Sequence, residues 1–213
     1  IEYNEWHSKE HMPERISLPG FIRGLRAIGI PGTDLNHKYF MMYEAEQKEV
    51  FVSTKYLERL NNPTEWTKEI LSNYLSPSRT ICSVISSKSI GIGTFLSTIR
   101  FLGNNILNSH NVENLKSYTP KILRLNGITG MHIILGDNSF GQMNTVEKKY
   151  RSLQGLNDQL VSQAVIIEGL NYRSLETAIN NFKKNFSIKE SKNIITNFYV
   201  CQNILTKEDM LNK

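Results

Sequence analysis

The sequence predicts an α+β protein made of two tandem β-α-β-β-α-β units, the first lacking its opening strand. Three observations carry that expectation. Segments of the first half recur in order in the second, apolar runs switch between helical and strand periodicity alike in both, and composition points to no other class. The 213-residue chain is 39 % hydrophobic, with 13 glycines and 6 prolines, the level of an ordinary globular protein. No apolar stretch reaches the roughly 18 residues of a membrane span, and no charged–apolar–small leader opens the sequence. Cys82 and Cys201 supply neither a disulfide framework nor a CxxC zinc pair. The formal charge of +5 comes from 25 basic and 20 acidic residues mixed along the length, a weak signal for nucleic acid or a membrane surface. A soluble, cytoplasmic protein with no nucleic-acid and no membrane partner is expected.

The repetition is local but ordered. His11-Met12-Pro13-Glu14-Arg15-Ile16-Ser17-Leu18-Pro19-Gly20-Phe21 matches Tyr118-Thr119-Pro120-Lys121-Ile122-Leu123-Arg124-Leu125-Asn126-Gly127-Ile128, with proline, leucine and glycine at one offset. Tyr39 to Glu44 resembles Gln163 to Glu168, an acid closing an apolar run in each. Ser53 and Ser174 each precede a helical pattern, and Thr80 to Ile85 lies opposite Tyr199 to Ile204 with the two cysteines in equivalent places.

The second copy gives the layout. Gly93 to Phe101 reads as a strand. Val112 to Leu125 reads as a helix that Pro120 should kink or restart, closed by Asn126-Gly127. Strands follow at Ile128 to Leu135 and Gln163 to Leu170. Ser174 is expected to cap a helix to about Phe186, with Leu175, Ala178, Ile179 and Phe182 on one face. Asn193 to Leu205 closes the unit. The order is that of the ferredoxin-like split unit. In the first copy, Tyr3 to Leu18 should be helical, Phe21 to Ile30 and Lys38 to Glu46 strands. Helices follow from Ser53 to Leu60 and from Pro63 to Tyr74, then a strand from Ser78 to Ser87. The units divide at 1–89 and 90–213. An opening strand would lie upstream of Ile1, within about 20 further residues. The polar connection Gly136 to Gln159 is long enough to be a pocket lid or a crossing arm.

At Trp6-His7-Ser8-Lys9-Glu10-His11-Met12-Pro13-Glu14-Arg15, then Pro19 to Gly24, then Tyr56-Leu57-Glu58-Arg59-Leu60-Asn61-Asn62-Pro63-Thr64-Glu65-Trp66-Thr67, the chain resembles the dimeric α/β barrel superfamily. Within it, the similarity is to EthD-like proteins carrying two units in one chain. That resemblance implies antiparallel sheets packed face to face as an intramolecular α/β barrel, helices outside. A lone open sheet with one helix-covered face must bury its other face somewhere. The superfamily includes cofactor-free monooxygenases on aromatic substrates, haem-degrading enzymes, lactone isomerases and polyketide cyclases, and fold alone does not choose among them. The implied function is a small-molecule enzyme acting on an aromatic or polyketide-like substrate by acid/base chemistry or cofactor-free oxygenation. A non-catalytic ligand-binding or assembly module is the alternative, and a haem-binding protein the third. A small-molecule ligand is expected, no cofactor and no metal; a homodimer is compatible.

Candidate chemistry starts at His7 and His11, four apart on one helix face. With Glu10 they spell H-x-x-E-H, the inverted zinc-peptidase pattern, but no later helix offers a third ligand. His11 is the candidate general acid/base, its ordinary pKa suiting proton transfer near neutrality, with His7 or Glu10 to orient it. The structural alternative makes this segment a helix end, Arg15 pairing with Glu14 or Glu44. Strand alternation puts Arg23 with Phe21, Leu25 and Ala27 and sends Arg26 to the other face. Arg26 then pairs with Glu44 or meets a carboxylate or phenolate of the substrate. Tyr39, Tyr43 and Trp66 line an aromatic pocket or belong to the core, and His132 is either a further substrate contact or a core histidine. Gly91-x-Gly93 lacks the third glycine of a dinucleotide loop, and no strand carries the basic-aromatic pattern of RNA binding.

Overall fold

A computed structural model describes residues 2–33, 37–75, 77–102, 109–137, 140, 143–155, 158–189 and 191–211. The chain begins with α1 (Glu2–Trp6), a π-helical turn (His7–His11) and α2 (Met12–Ser17). Trp6, His11 and Met12 all keep helical dihedrals, so the three run on as one rod. Next come β1 (Phe21–Gly29), β2 (Tyr39–Ala45), a 3₁₀ turn (Lys48–Val52), α3 (Thr54–Asn61), α4 (Glu65–Ser72) and β3 (Cys82–Ser89). The remainder is β4 (Phe95–Leu102), α5 (Ser109–Leu123), β5 (Ile128–Gly136) and α6 (Val146–Arg151), then β6 (Val161–Gly169), α7 (Tyr172–Asn185), β7 (Ile194–Thr206) and α8 (Lys207–Leu211).

Local chemistry sets the boundaries. The Ser53 hydroxyl accepts from the Tyr56 N–H to start α3, and Thr64 does the same for Thr67 to start α4. Asn171, three residues before the expected Ser174, caps α7. Gly127 takes φ +76° beyond α5, the left-handed conformation that only glycine adopts without strain. Pro120 neither breaks nor restarts α5. It sits on the exposed side, where water can take up the carbonyl its missing N–H leaves free.

The seven strands form one sheet ordered β2-β1-β7-β4-β6-β5-β3, and every pairing is antiparallel. This corrects the expected pair of sheets packed face to face: the halves join edge to edge, β1 on β7 and β3 on β5. Edge strands carry unpaired backbone groups, and pairing them with one another satisfies those groups while the strand twist curls the sheet. The result is a half-barrel with helices outside. Under α5 and α7 lies the largest core cluster, including Ile99, Phe101, Leu115, Met131, Ile133, Val165 and Phe182. A second holds Met12 and Ile16 against Phe21, Tyr56 and Leu60. The concave face has its own cluster of Leu25, Ala27, Leu96 and Tyr199. Among the described residues, no helix is long and apolar enough to cross a membrane.

Candidate active site

The segment His7–His11 is wound as a π-helix rather than an α-helix. One-turn π segments of this kind concentrate at functional sites, because the extra residue redirects side chains and frees a backbone bond. Here the turn presses both imidazoles against β2. His7 Nε2 lies 3.0 Å from the Tyr43 hydroxyl. The rings of His7 and His11 are 5.7 Å apart, and the His11 ring lies tilted by 33° against Trp6 at 4.4 Å. His7 and Trp6 are fully buried, whereas His11 is half-buried. Nδ1 of each histidine is sealed from solvent without a hydrogen-bond partner, and such orphaned polar atoms are uncommon in folded proteins.

Electrostatics keep these groups neutral. Burial, then the charges of Arg26 and Arg15, lower the His7 pKa to about 3. Burial and Arg15 likewise hold His11 well below the usual histidine range. His11 therefore enters any reaction as neutral imidazole rather than as a group poised at neutrality. Burial also raises the phenols of Tyr43 and Tyr3, and that of Tyr74 to about 12.

Arg15, 3 % exposed, forms an ion pair with Glu147, and its guanidinium lies 5.9 Å from the centre of the Tyr56 ring. Glu147 belongs to α6, so the long connection is a crossing arm that brings a second-half residue onto the first half. The Asn61 side chain accepts from the Val146 N–H, and Gln154 donates to the Ser72 carbonyl. Under the arm, a cavity of about 20 Å³ is lined by Phe51, Tyr56, Leu60, Arg79, Thr145 and Arg151, among others, room for about one water.

The sequence candidates divide into three groups. His7, His11 and Tyr43 meet. Glu10 turns away from His11: its carboxylate accepts from Thr64 at 2.5 Å and Thr67 at 2.8 Å, fastening the rod to α4. Trp66 packs half-buried in the Trp6 cluster, and Tyr39 lies 4.2 Å from the Tyr3 ring at the rod's beginning. Arg26 does not pair with Glu44. It donates to the Asn4 carbonyl and the Ser8 hydroxyl, each at 2.9 Å, and to Gln202. Arg23 holds Glu44 instead, at 2.6 Å. Arg23 and Arg26 do lie on opposite faces as expected, with Arg23 on the face of Glu44; only Phe21 departs from the alternation, because a bulge between Phe21 and Arg23 moves it to the helix side. His132 lies on the concave face, away from the other candidates, with Ser87 and Glu168.

Sequence reasoning missed Glu147, Tyr3, Tyr56 and Tyr74. Glu147 sits in a lysine-rich connection with no apolar period to mark it, and no spacing singles out these tyrosines among the chain's aromatic residues. Among the described residues, no group of three or more His, Cys, Asp or Glu side chains is placed to hold a metal. A groove of about 760 Å³ lies between α7 and β7, lined by Tyr172, Glu176, Ile179, Lys183, Thr196 and Phe198 among others. None of the sequence candidates reaches it.

No protein-family model and no curated protein matches the chain. Solved structures do. An anthrone oxidase-like protein is similar with TM-score 0.54 and 8 % identity, over 97 % of this chain and 87 % of that one. A candidate monooxygenase of Fusobacterium nucleatum subsp. nucleatum ATCC 25586 is similar with TM-score 0.56 and 8 % identity, over 97 % and 88 %. At that identity the likeness is one of fold alone.

Proposed function

We propose that the chain is a small-molecule enzyme of the monooxygenase-like α/β barrel kind, with its site at the His7–His11–Tyr43 cluster. The substrate class is an aromatic or polyketide-like compound such as an anthrone, converted by proton transfer or cofactor-free oxygenation. In this reading the molecule is a tandem pair of EthD-like, ferredoxin-like units sharing one curled antiparallel sheet. The connectivity β4-α5-β5-β6-α7-β7 with spatial order 7-4-6-5 supports the unit in the second half.

The observation that carries the functional reading is an asymmetry between the proposed copies. In the second, Ile122 occupies the place of Arg15 and Ile167 that of Tyr43, and both are buried apolar core. A first half built for stability alone would be filled the same way. Instead it holds a buried and a half-buried neutral imidazole, each with an orphaned nitrogen, and a buried charged arginine, each costing free energy that an apolar residue would not. Neutral imidazole beside a phenol with a raised pKa suits hydrogen bonding to an enolate or phenolate oxygen. Arg15 supplies the positive field that favours the substrate's anion.

The test is oxygen uptake and product formation with anthrone-type phenols, no cofactor added, for wild type, His11→Ala and Tyr43→Phe. Turnover by the wild type, cut about 100-fold or more in His11→Ala at a near-unchanged melting temperature, supports the assignment. A second reading, a non-catalytic binding module, is favoured by the size of the α7–β7 groove, within the range that holds small ligands. Binding without turnover that shifts the NMR signals of Tyr172 and Phe198, leaving the His7 and His11 imidazoles unmoved, would establish the module and overturn the enzyme.

A further inference from the structure

The concave face of the sheet, on the opposite side from the cluster under the first helix, carries an arrangement the proposed function does not use. Ser87 on β3 stands opposite His132 on β5 in the strand register, and Glu168 on β6 lies two positions along on the same face, opposite Gly130. The Ser87 hydroxyl is 2.8 Å from His132 Nδ1. On the other side of the ring, His132 Nε2 is 3.4 Å from Glu168 Oε1. The carboxylate is 2 % exposed, and its other oxygen accepts the Gly93 N–H at 3.0 Å. With Nδ1 accepting the serine hydroxyl, the ring proton sits on Nε2, facing the carboxylate across a gap longer than a normal hydrogen bond.

Two glycines leave the room this requires. A Cβ at Gly130 would stand 3.1 Å from His132 Nε2, and one at Gly93 would come within 2.5 Å of the Gly169 backbone nitrogen. The carboxylate is ionised despite its burial, because the contacts from His132 and the Gly93 N–H outweigh desolvation and lower its pKa. Ser87 itself is exposed. Near it in sequence are three exposed apolar side chains, Val84 at 64 %, Ile90 at 85 % and Ile92 at 41 %, on or beside β3. Exposed serine, hydrogen-bonded imidazole and buried orienting carboxylate are the parts of an activated nucleophile.

We propose that Ser87, His132 and Glu168 form an acyl-transfer site on the concave face, hydrolysing esters whose acyl group packs on Val84, the exposed apolar side chain on the same face of β3. The Ser87 oxygen bonds to the ester carbonyl carbon as its proton passes to His132 Nδ1. The carbon–oxygen bond to the leaving alcohol then breaks, and that proton leaves with the alcohol. Water attacks the acyl-serine in the second half, giving up a proton to the imidazole, which returns it to Ser87 as the carboxylic acid departs. Ester and water become acid and alcohol, and no oxidant or metal takes part. Glu168 acts as a positioning residue, stabilising the imidazolium that forms twice per cycle.

The experiment uses the full chain with an alkyl fluorophosphonate and p-nitrophenyl butyrate. The expected result is one phosphonyl group on Ser87, located by peptide mass spectrometry, with hydrolysis lost in Ser87→Ala. His132→Gln should slow labelling about 100-fold and abolish its rise with pH, while Glu168→Gln should slow it with the rise retained. Ser87 is exposed, so Ser87→Ala keeps the wild-type melting temperature and remains informative if Glu168→Gln unfolds. A wild type that carries no label on Ser87 overturns the proposal. Labelling at the same rate in His132→Gln does so too, since it marks an unactivated surface hydroxyl.

Discussion

His7 and His11 are held where protonation is refused, and that refusal can be read in stability. The unfolded chain binds a proton at each imidazole near the ordinary value of 6.5, whereas folded His7 does so only at about 3 and folded His11 well below its ordinary value. Lowering the pH therefore protonates the unfolded state first. The stability is fully present above about pH 6.5 and drains away as pH falls from there toward 3. Each histidine contributes a slope of about 1.4 kcal/mol per pH unit within that window. Urea unfolding between pH 7 and pH 5, above the range where most carboxylates titrate, should show the loss, and a His7→Asn, His11→Asn double variant should flatten it. Equal slopes in the two proteins would mean that the imidazoles are hydrated. The sequence placed these histidines on one face by spacing alone. It could not give the pKa values, which arise from Arg15, Arg26 and the Trp6 ring closing around them.

At the scale of elements, what was legible followed burial. The segment of α3 could be located because Ser53 offers a cap and Tyr56 and Leu60 repeat at helical spacing; both are buried. Strands β1, β4 and β6 showed themselves through segments rich in apolar, β-branched and aromatic residues. The arm helix α6 was hidden in a polar connection, since VEKKYR has no apolar stripe to signal it. The helix is held instead by its cap at Thr145 and by Glu147 inserted beside Arg15. The bulge in β1 and the π-turn were equally invisible, because one residue too many in a strand or helix leaves no compositional mark. The arm makes a sharp prediction. Glu147→Gln strands the buried Arg15 charge, with Glu14 only at 3.9 Å to compensate. It should cost about 3–5 kcal/mol in urea unfolding. Replacing the pair together, Arg15→Met with Glu147→Leu, removes both desolvation costs and should recover most of that loss. If Glu147→Gln is neutral, the ion pair is solvated and the arm is fastened by other contacts.

For the whole molecule, the sheet order makes the two halves unequal partners in folding. The expected division at 89/90 puts β1, β2 and β3 in the first half, but β3 pairs with neither of the others. The β1–β2 hairpin sits at one end of the sheet and β3 at the other, with the four strands of the second half between them. Residues 90–213 keep β7-β4-β6-β5 contiguous and retain the whole cluster under α5 and α7. Residues 1–89 keep a hairpin and a detached strand, and a two-stranded hairpin is at best marginally stable in water. The Met12–Ile16–Phe21 cluster would also lose Leu205 and Met210, which pack on it from β7 and α8. Expressed separately, 90–213 should unfold cooperatively in urea, and 1–89 should show no transition. Mixed in equal amounts, the first half should gain helical circular dichroism as the free edges of β5 and β7 take up β3 and β1. A cooperative transition from 1–89 alone would contradict this: each half would then complete its own sheet, and the strands crossing between them would be an interface rather than the frame of the fold.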